Sequence, residues 1–478
     1  MASIVLCTVN AKWIHPSLAL RLLKANLPSC LASDSVIIEF ALRQRLEEKT
    51  AAIYAETPKI LAFSVSVWNH KATLELLQVL EKELAKTDVR PVIILGGPEL
   101  TPLSPAAEIF HYADFVIRGE GENIFAELCR AVLEDKETAL KRYGKFITVN
   151  NVDVALIRHG YDLYSDEDLE HKLIYVESSR DCPYDCAFCQ SAVRKLPGVR
   201  EFSPEHFLGN LERLLQRSIK AGRTKTKTIK FLDRSFNVNI PRALRILEFC
   251  LKNKDGFQFH FEMVPLIFPG ELRQILVKFP PETIRLEVGI QSFNRKTCEL
   301  INRAANIESE LEVLRFLREK TSVILHIDLI AGLPGEDLES FGKGFDLLWI
   351  TLSAEHSAAL FEIQPGILKI LPGTPIHAMA EESSFIVQYN KNPPYEVIET
   401  DCLPVQDMEK IKNFARFWET IVNRGAFPLQ LPLLVPPGMA VFKRFMELSQ
   451  KLFERFGKNF GIPKQELENA LKAFTIPE

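Results

Sequence analysis

The sequence predicts an α/β chain in three parts, and three observations predict it. Short, continuous apolar runs alternate with helical periodicity over residues 1 to 135, a second such alternation runs from 171 to 370, and strand periodicity then stops. Continuous apolar strands joined by helical crossovers form parallel sheets covered on both faces.

The first part holds five strand-helix units. They are Ser3 to Val9 then Ser17 to Leu27, Val36 to Ala41 then Leu46 to Ala55, Ile60 to Val67 then His70 to Lys86, Val92 to Leu95 then Pro105 to Phe110, and Phe115 to Ile117 then Glu122 to Leu133. Five units suit the flavodoxin-like (Rossmann-like) strand order 2-1-3-4-5, in which ligands bind beyond the carboxyl ends of the strands. Those ends carry Asn10, then Ser64, Ser66 and Trp68, then Gly96-Gly97-Pro98-Glu99, then Gly119-Glu120. Gly119-x-Gly121 lacks the third glycine of a dinucleotide fingerprint, and Glu120 and Glu122 would repel a pyrophosphate. Residues 136 to 170, with the acidic run Asp162 to Glu170, read as a linker.

The second part has strands at Leu173 to Val176, Thr228 to Leu232, Gln258 to Met263, Ile284 to Ile290, Val323 to Ile330 and Phe361 to Leu368. Helices are expected near Pro204 to Lys220, Pro241 to Lys252, Gly270 to Phe279, Glu308 to Glu319 and Leu338 to Trp349. Six repeats fall short of the eight of a closed TIM barrel, so residues 171 to 370 form a partial (β/α)6 barrel. Residues 371 to 478, with helices near Gln406 to Arg424, Val441 to Phe456 and Lys464 to Phe474, form a small helical C-terminal domain.

Cys182, Cys186 and Cys189 follow the first strand of the second series in a C-x-x-x-C-x-x-C run. Three thiolates can hold three corners of a four-iron four-sulfur cluster and leave the fourth iron open, the condition under which a metal site does chemistry. A zinc knuckle would need a fourth donor and paired spacings, and the nearest histidines are His171 and His206. Arg180, Asp181, Pro183 and Asp185 exclude a buried apolar face, so the run is a loop at a strand end. In a βα barrel the active site lies at those ends. They carry Asp233, Glu262, Gln291, Ser292, Asn294, Asp328 and Glu336, of which Asn294 and Glu336 could equally serve as helix caps or ion-pair partners.

The bulk numbers, 47% apolar and 25% charged residues, are ordinary for a soluble globular protein. The net charge of −4 and pI near 6.3 argue against a nucleic-acid partner; the basic stretch Lys220 to Lys230 reads as a solvated loop. The apolar stretch Phe427 to Phe442 is too short and too interrupted by proline to span a membrane. Nine scattered cysteines and no secretion signal indicate a reducing, cytoplasmic setting.

The cysteine loop with Phe188, the Glu-x-Gly-Ile-Gln-Ser-Phe run at 287 to 293 and the Gly-Leu-Pro-Gly-Glu run at 332 to 336 resemble the radical S-adenosylmethionine (SAM) enzymes. Gly96-Gly97-Pro98-Glu99 and Arg118 to Glu122 are similar to the cobalamin-binding domain that precedes the barrel in the cobalamin-dependent branch. With the start Thr8 to Pro16 and the helical tail, the chain resembles a bacterial group of such proteins of unknown substrate. The resemblance implies a four-iron four-sulfur cluster on Cys182, Cys186 and Cys189, and SAM contacts at Phe188, Asp233, Glu262, Gln291, Ser292 and Asp328. It also implies cobalamin contacts at Asn10, Ser64, Ser66, Trp68, Gly96, Gly97, Pro98, Glu99, Gly119 and Glu120. The implied activity is reductive SAM cleavage to a deoxyadenosyl radical, with cobalamin carrying a methyl group to an unactivated carbon of a small-molecule or peptide substrate. Flavodoxin or ferredoxin would be the electron donor. Alternatives are ring or sulfur chemistry without cobalamin, the latter through a second cluster on Cys7, Cys30 and Cys129; a non-catalytic cobalamin or metal sensor; and a zinc-stabilised scaffold. One departure stands out: the D-x-H-x-x-G string of other cobalamin domains is absent, with His15 a conceivable substitute ligand though better read as a capping or core residue.

Overall fold

In a computed structural model, residues 2–84, 90–193, 198–221, 226–353 and 360–475 are described. The chain divides into two compact units, residues 1–179 with 200–232 and residues 180–199 with 233–478. No helix among the described residues is long and apolar enough to cross a membrane.

The first unit is built on a parallel sheet. Its strands are β1 (Ile4–Asn10), β2 (Ser35–Ala41), β3 (Ile60–Ser64), β4 (Val92–Gly96), β5 (Phe115–Arg118) and β6 (Phe146–Thr148), in the order β2-β1-β3-β4-β5-β6. The five expected strands thus take the expected flavodoxin-like order. All seven residues of β1 are buried because both faces are covered. Ile4 and Leu6 enter one apolar layer, Val5, Cys7 and Val9 the other, as the two-residue side-chain period requires.

The sixth strand comes from the stretch read as a linker. Its three residues bury only Ile147, too little for a periodic pattern to register. The acidic run after it is also anchored. Ser165 and Asp168 form a capping box at the start of the helix Asp166–His171. Asp168 then pairs with the buried Arg21 at 2.6 Å; Arg21 also holds Glu39 at 2.9 Å, and its guanidinium lies 4.6 Å from the Tyr164 ring centroid.

One helical expectation shifts, one runs beyond the described residues, and the basic stretch is partly strand. The helix placed at Pro105 to Phe110 is a 3-10 turn, Glu108–Tyr112, the form short connectors take. The helix expected to reach Lys86 is described from His70 to Leu84, and Ala85 and Lys86 lie outside the described residues. In the basic stretch, Lys227 and Lys230 belong to the strand Lys227–Phe231, and Lys227 is buried with Nζ donating to Lys172 O at 3.0 Å. Arg223 and Lys225 lie outside the described residues. That strand pairs in parallel with Ile174–Val176.

In the second unit the strands Phe257–Met263, Ile284–Gln291, Ile324–Ala331 and Phe361–Ile367 pair in parallel, each with its chain neighbour. All six strands expected of the second series are therefore formed. The helices Ile240–Lys252, Gly270–Leu276, Ile307–Lys320 and Leu338–Ser353 fall between them as expected. The tail contains Val405–Trp418, Phe442–Phe456 and Lys464–Thr475, but also an antiparallel hairpin, Val387–Tyr389 with Val397–Thr400, whose strands are too short to show a period.

An aromatic cluster holds the tail down. Trp418 is fully buried, edge-on to Phe345 at 4.7 Å and to Phe445 at 5.0 Å, and Phe442 packs tilted against Phe414 at 4.9 Å. Gly342 permits this approach: a Cβ there would stand 2.5 and 2.7 Å from two carbons of the Phe442 ring. Gly342→Ala should overpack the contact and destabilise by about 1–3 kcal/mol. Thermal melting should show the loss, and Phe442→Leu in the same background should restore part of it.

Candidate functional site

The cysteine loop is folded by its own turns and braced from outside. Asp181, ahead of Cys182, adopts φ +73°, a left-handed conformation that reverses the chain after the strand end. Cys189 N donates to Cys186 O at 2.9 Å and Ala192 N to Cys189 O at 3.1 Å, closing two turns. Ala187, between the second and third cysteines, donates to Ile301 O at 2.8 Å and accepts from Ile376 N at 2.9 Å.

All three sulfurs are half-buried, as is Phe188. Burial pushes the Cys186 thiol up to about 11, with Cys182 and Cys189 adding to the rise and Arg303 opposing it. Burial raises Cys182 too, opposed by a hydrogen bond from the Tyr184 backbone and by Arg234, and reinforced by Cys189. Sulfurs that repel one another as thiolates become ligands where a cationic group compensates them, so this donor set fits an iron-sulfur group chemically. Among the described residues no three His, Cys, Asp or Glu side chains are gathered to hold a single metal ion. Cys7 and Cys129 are buried and Cys30 is exposed, each among residues of the first unit's fold.

The strand-end residues of the second unit fall into two sets. One is locked into the fold. Asp233 is buried and paired with the buried Arg242 at 3.2 Å, so its carboxylate already has a cation. Ser292 donates to Glu336 Oε1 at 2.6 Å and accepts from Asn294 N at 2.9 Å. Asn294 caps the helix Arg295–Leu300, as its bland reading had it. Burial pushes Glu336 up to about 7, against the pull of Ser292 and Ser340, and its Oε2 has no hydrogen-bond partner among the described residues.

The other set lines one face of the sheet. Glu262, Glu287, His326 and Glu362 are aligned across four strands, and Gly289, Asp328 and Gln364 form the next row. Glu287 reaches His260 at 3.0 Å; His326 lies 3.0 Å from Glu362 and 3.4 Å from Asp328. Arg285 joins through His326 at 3.1 Å and through Glu362. Burial pulls His326 down, but Asp328 and Glu362 outweigh it and bring it to about 9. Gln291 ends the row at a register shift with φ +68°, and its Oε1 has no partner among the described residues.

In the first unit most of the expected polar cofactor residues are held by neighbours in the fold. Asn69, which sequence reasoning passed over, is the hub: its Nδ2 donates to Val9 O at 3.0 Å, Thr8 Oγ1 at 3.2 Å and Ser64 O at 3.2 Å, and its Oδ1 accepts from Ser66 N at 2.7 Å. Asn10 donates to Glu39 at 3.2 Å. Glu99 is buried against His70 at 2.9 Å, and Glu120 pairs with Arg200 at 2.9 Å. Gly97 (φ +117°) and Gly119 (φ +101°) are glycines because a Cβ would strike the Val65 and Val149 backbones, while Gly96 is spacious by comparison. His15 Nδ1 is 2.7 Å from the Tyr175 hydroxyl, and burial with Lys12 and Lys230 lowers its pKa. What this end leaves outward is apolar: Trp13, Ile14, Leu42 and Trp68 are exposed, as is Pro98.

Residues 176–348 match the Radical SAM superfamily and residues 4–129 the B12 binding domain. The cobalamin-dependent radical SAM methyltransferase TokK of Streptomyces tokunonensis is 22% identical over 361 residues, which is 67% of this chain and 48% of that one. The chain covers 36 to 52% of the length of the curated relatives it matches. Among solved structures, the radical SAM methyltransferase TsrM of Kitasatospora setae, with cobalamin and a four-iron four-sulfur cluster bound, aligns over 82% of this chain and 78% of its own (TM-score 0.60, 16% identity). The cobalamin-dependent SAM radical enzyme OxsB, with aqua-cobalamin bound, aligns over 99% and 75% (TM-score 0.64, 15% identity). These likenesses establish the fold.

The two shifted groups predict stability against pH. Folded Glu336 keeps its proton to about pH 7 against 4.5 unfolded, so stability falls as pH rises between those values and is level above them. His326 holds its proton to about 9 against 6.5 unfolded, so its contribution is complete below 6.5 and is lost as pH rises through 9. Thermal melts across pH should fall through both windows, with Glu336→Gln flattening the lower one and His326→Asn the upper.

Proposed function

We propose, on the premise that this chain joins a B12 binding domain (residues 4–129) to a radical SAM superfamily domain (residues 176–348), that it is a cobalamin-dependent radical SAM enzyme that methylates a carbon of its substrate. The carrying observation is the braced loop that holds Cys182, Cys186 and Cys189 within the radical SAM segment. When bound, an iron-sulfur cluster with SAM supplies one-electron cleavage of the SAM carbon-sulfur bond, and cobalamin supplies a methyl carrier.

The chain's own residues bind, orient and shield. The three cysteines would hold the cluster, and three ligands would leave one of its irons free for SAM. Phe188, half-buried between the second and third of them, would shield that group from water. Gln291 ends its strand with a side-chain carbonyl oxygen that is buried and has no partner among the described residues, and a donor on SAM would satisfy it. Glu262 and Asp328, on the same sheet face, present carboxylates to a ligand that carries a sulfonium and an ammonium. Asp233 and Ser292 act through neighbours: Asp233 fixes Arg242, and Ser292 fixes the turn that follows Gln291.

In the first unit the network through Asn69 shapes the strand ends Asn10, Ser64 and Ser66, the close turns at Gly97 and Gly119 bring backbone against backbone, and a Cβ at Gly96, the end of β4, would meet only ordinary contacts. Trp68 and Pro98, with Trp13, Ile14 and Leu42, offer the apolar surface against which a corrin ring can lie. Glu99 and Glu120 hold this end through His70 and Arg200. His15, tied to Tyr175, serves the fold here rather than cobalt. We assign residues 1–135 to cobalamin, 171–370 to SAM and 371–478 to the helical domain, with residues 136–170, expected as a connection, completing the first unit through β6 and the helix Asp166–His171. Flavodoxin or ferredoxin is the electron donor, a small molecule or peptide the substrate, and the cytoplasm the setting.

Anaerobic reconstitution tests the proposal. The chain should bind about four irons and four sulfides, absorb in the visible, take up cobalamin, and convert SAM under reduction to methionine and 5′-deoxyadenosine. Serine at positions 182, 186 and 189 together should abolish the iron and lower that cleavage at least about 100-fold. Colourless protein, or cleavage that survives the three serines, overturns the assignment. Cobalamin uptake without any SAM cleavage identifies a sensor instead.

A further inference from the structure

The turn at residues 301–303 is the seat of the cysteine loop. Ile301 O accepts from Ala187 N at 2.8 Å, and Asn302 Nδ2 donates to Asp185 O at 3.3 Å, so the backbone on both sides of Cys186 is fixed to this turn. Asn302 adopts a left-handed φ of +50°, and Arg303 is the next residue after this loop contact. The Arg303 guanidinium is 8% exposed; it donates to Ala304 O at 2.7 Å and to Gly289 O, two residues before Gln291. Among the described residues its carboxylate partner is Glu310 at 3.3 Å, which is fully buried.

A guanidinium keeps its charge in any surroundings a protein offers. Buried, and next in the chain to the Asn302 side chain that holds Asp185 O beside Cys186, it is screened far less than a surface cation. Arg234, the corresponding cation near Cys182, is exposed to water and salt.

We propose that Arg303 is a positioning residue that sets the reduction potential of the group held by the three cysteines, by placing one fixed positive charge behind Cys186. The proposal rests on the reading of Cys182, Cys186 and Cys189 as cluster ligands. Reduction of a cluster takes one electron from the donor and adds one negative charge to the site, which a nearby cation stabilises. Loss of the cation makes reduction harder, and loss of its counter-charge Glu310 makes it easier. Because Arg303 also holds Gly289 O, it ties the turn that seats the loop to the strand that ends in Gln291.

The test uses the full chain, anaerobically reconstituted, with iron content measured first and the midpoint potential then read by electron paramagnetic resonance in a mediated titration. Arg303→Met should keep its iron and shift the midpoint to more negative values by about a tenfold change in the reduction equilibrium, ~59 mV for one electron. Arg303→Lys, which keeps the charge, should stay close to the unaltered chain, and Glu310→Gln should move it the other way. An unchanged midpoint in Arg303→Met, or a shift in Arg303→Lys as large as in Arg303→Met, overturns the proposal. Where Arg303→Met does not fold, Glu310→Gln decides: a midpoint that stays or becomes more negative overturns it. An unaltered chain that binds no iron overturns the cluster assignment itself, a result distinct from iron bound at an unmoved potential.

Discussion

The candidate site depends on one constraint: three sulfurs are kept half-buried and within one another's electrostatic reach on a loop of eight positions, Cys182 to Cys189. Neither burial nor proximity favours thiolates, so the loop cannot be held by its sulfurs alone. It is held by its backbone. Ala187 is bonded on both sides, to Ile301 and Ile376, and Asp185 to Asn302. Those anchors belong to a turn after a short helix and to the start of Pro375–Glu381, beyond the last barrel strand, so the loop's geometry is enforced by parts of the chain more than 100 residues away. A rigid frame of this kind is what lets a site bind a group without reorganising when its charge changes.

The fold was legible because strand burial here follows the sequence period closely. Continuous apolar runs in β1, β3 and β4 gave the two-faced sheet, and alternation in Ile284–Gln291 and Ile324–Ala331 gave the strands of the second series. What escaped was short. β6 and the hairpin at 387–400 have three or four residues per strand, and their existence is decided by a partner strand rather than by local pattern. The 3-10 turn Glu108–Tyr112 escaped for the same reason.

Residues of the site were legible by type and place but not by partner. The cysteines, Gln291 and Asp328 could be picked from their positions at strand ends. That Asp233 would be taken by Arg242, and Ser292 by Glu336, depends on contacts that no spacing announces. Gly97 and Gly119 look like ligand-approach glycines, yet the backbones of Val65 and Val149 account for them. One clue was available: Arg285, Glu287 and Gln291, with His326 and Asp328, place polar side chains at every second position of strands otherwise apolar. That period marks a polar sheet face, and register then converts it into the row Glu262, Glu287, His326, Glu362.

The pairing of Arg21 with both Glu39 and Asp168 bears on where this protein can be cut. The family match to the first domain stops at residue 129, and excision there would remove one of the two anions that balance a guanidinium beneath the sheet's helices, along with the edge strand β6. A dissected N-terminal piece would carry an underneutralised interior charge and an unpaired sheet margin, two invitations to self-association. A fragment that keeps both anions and β6 must run at least through the helix Asp166–His171, well past the edge of sequence similarity.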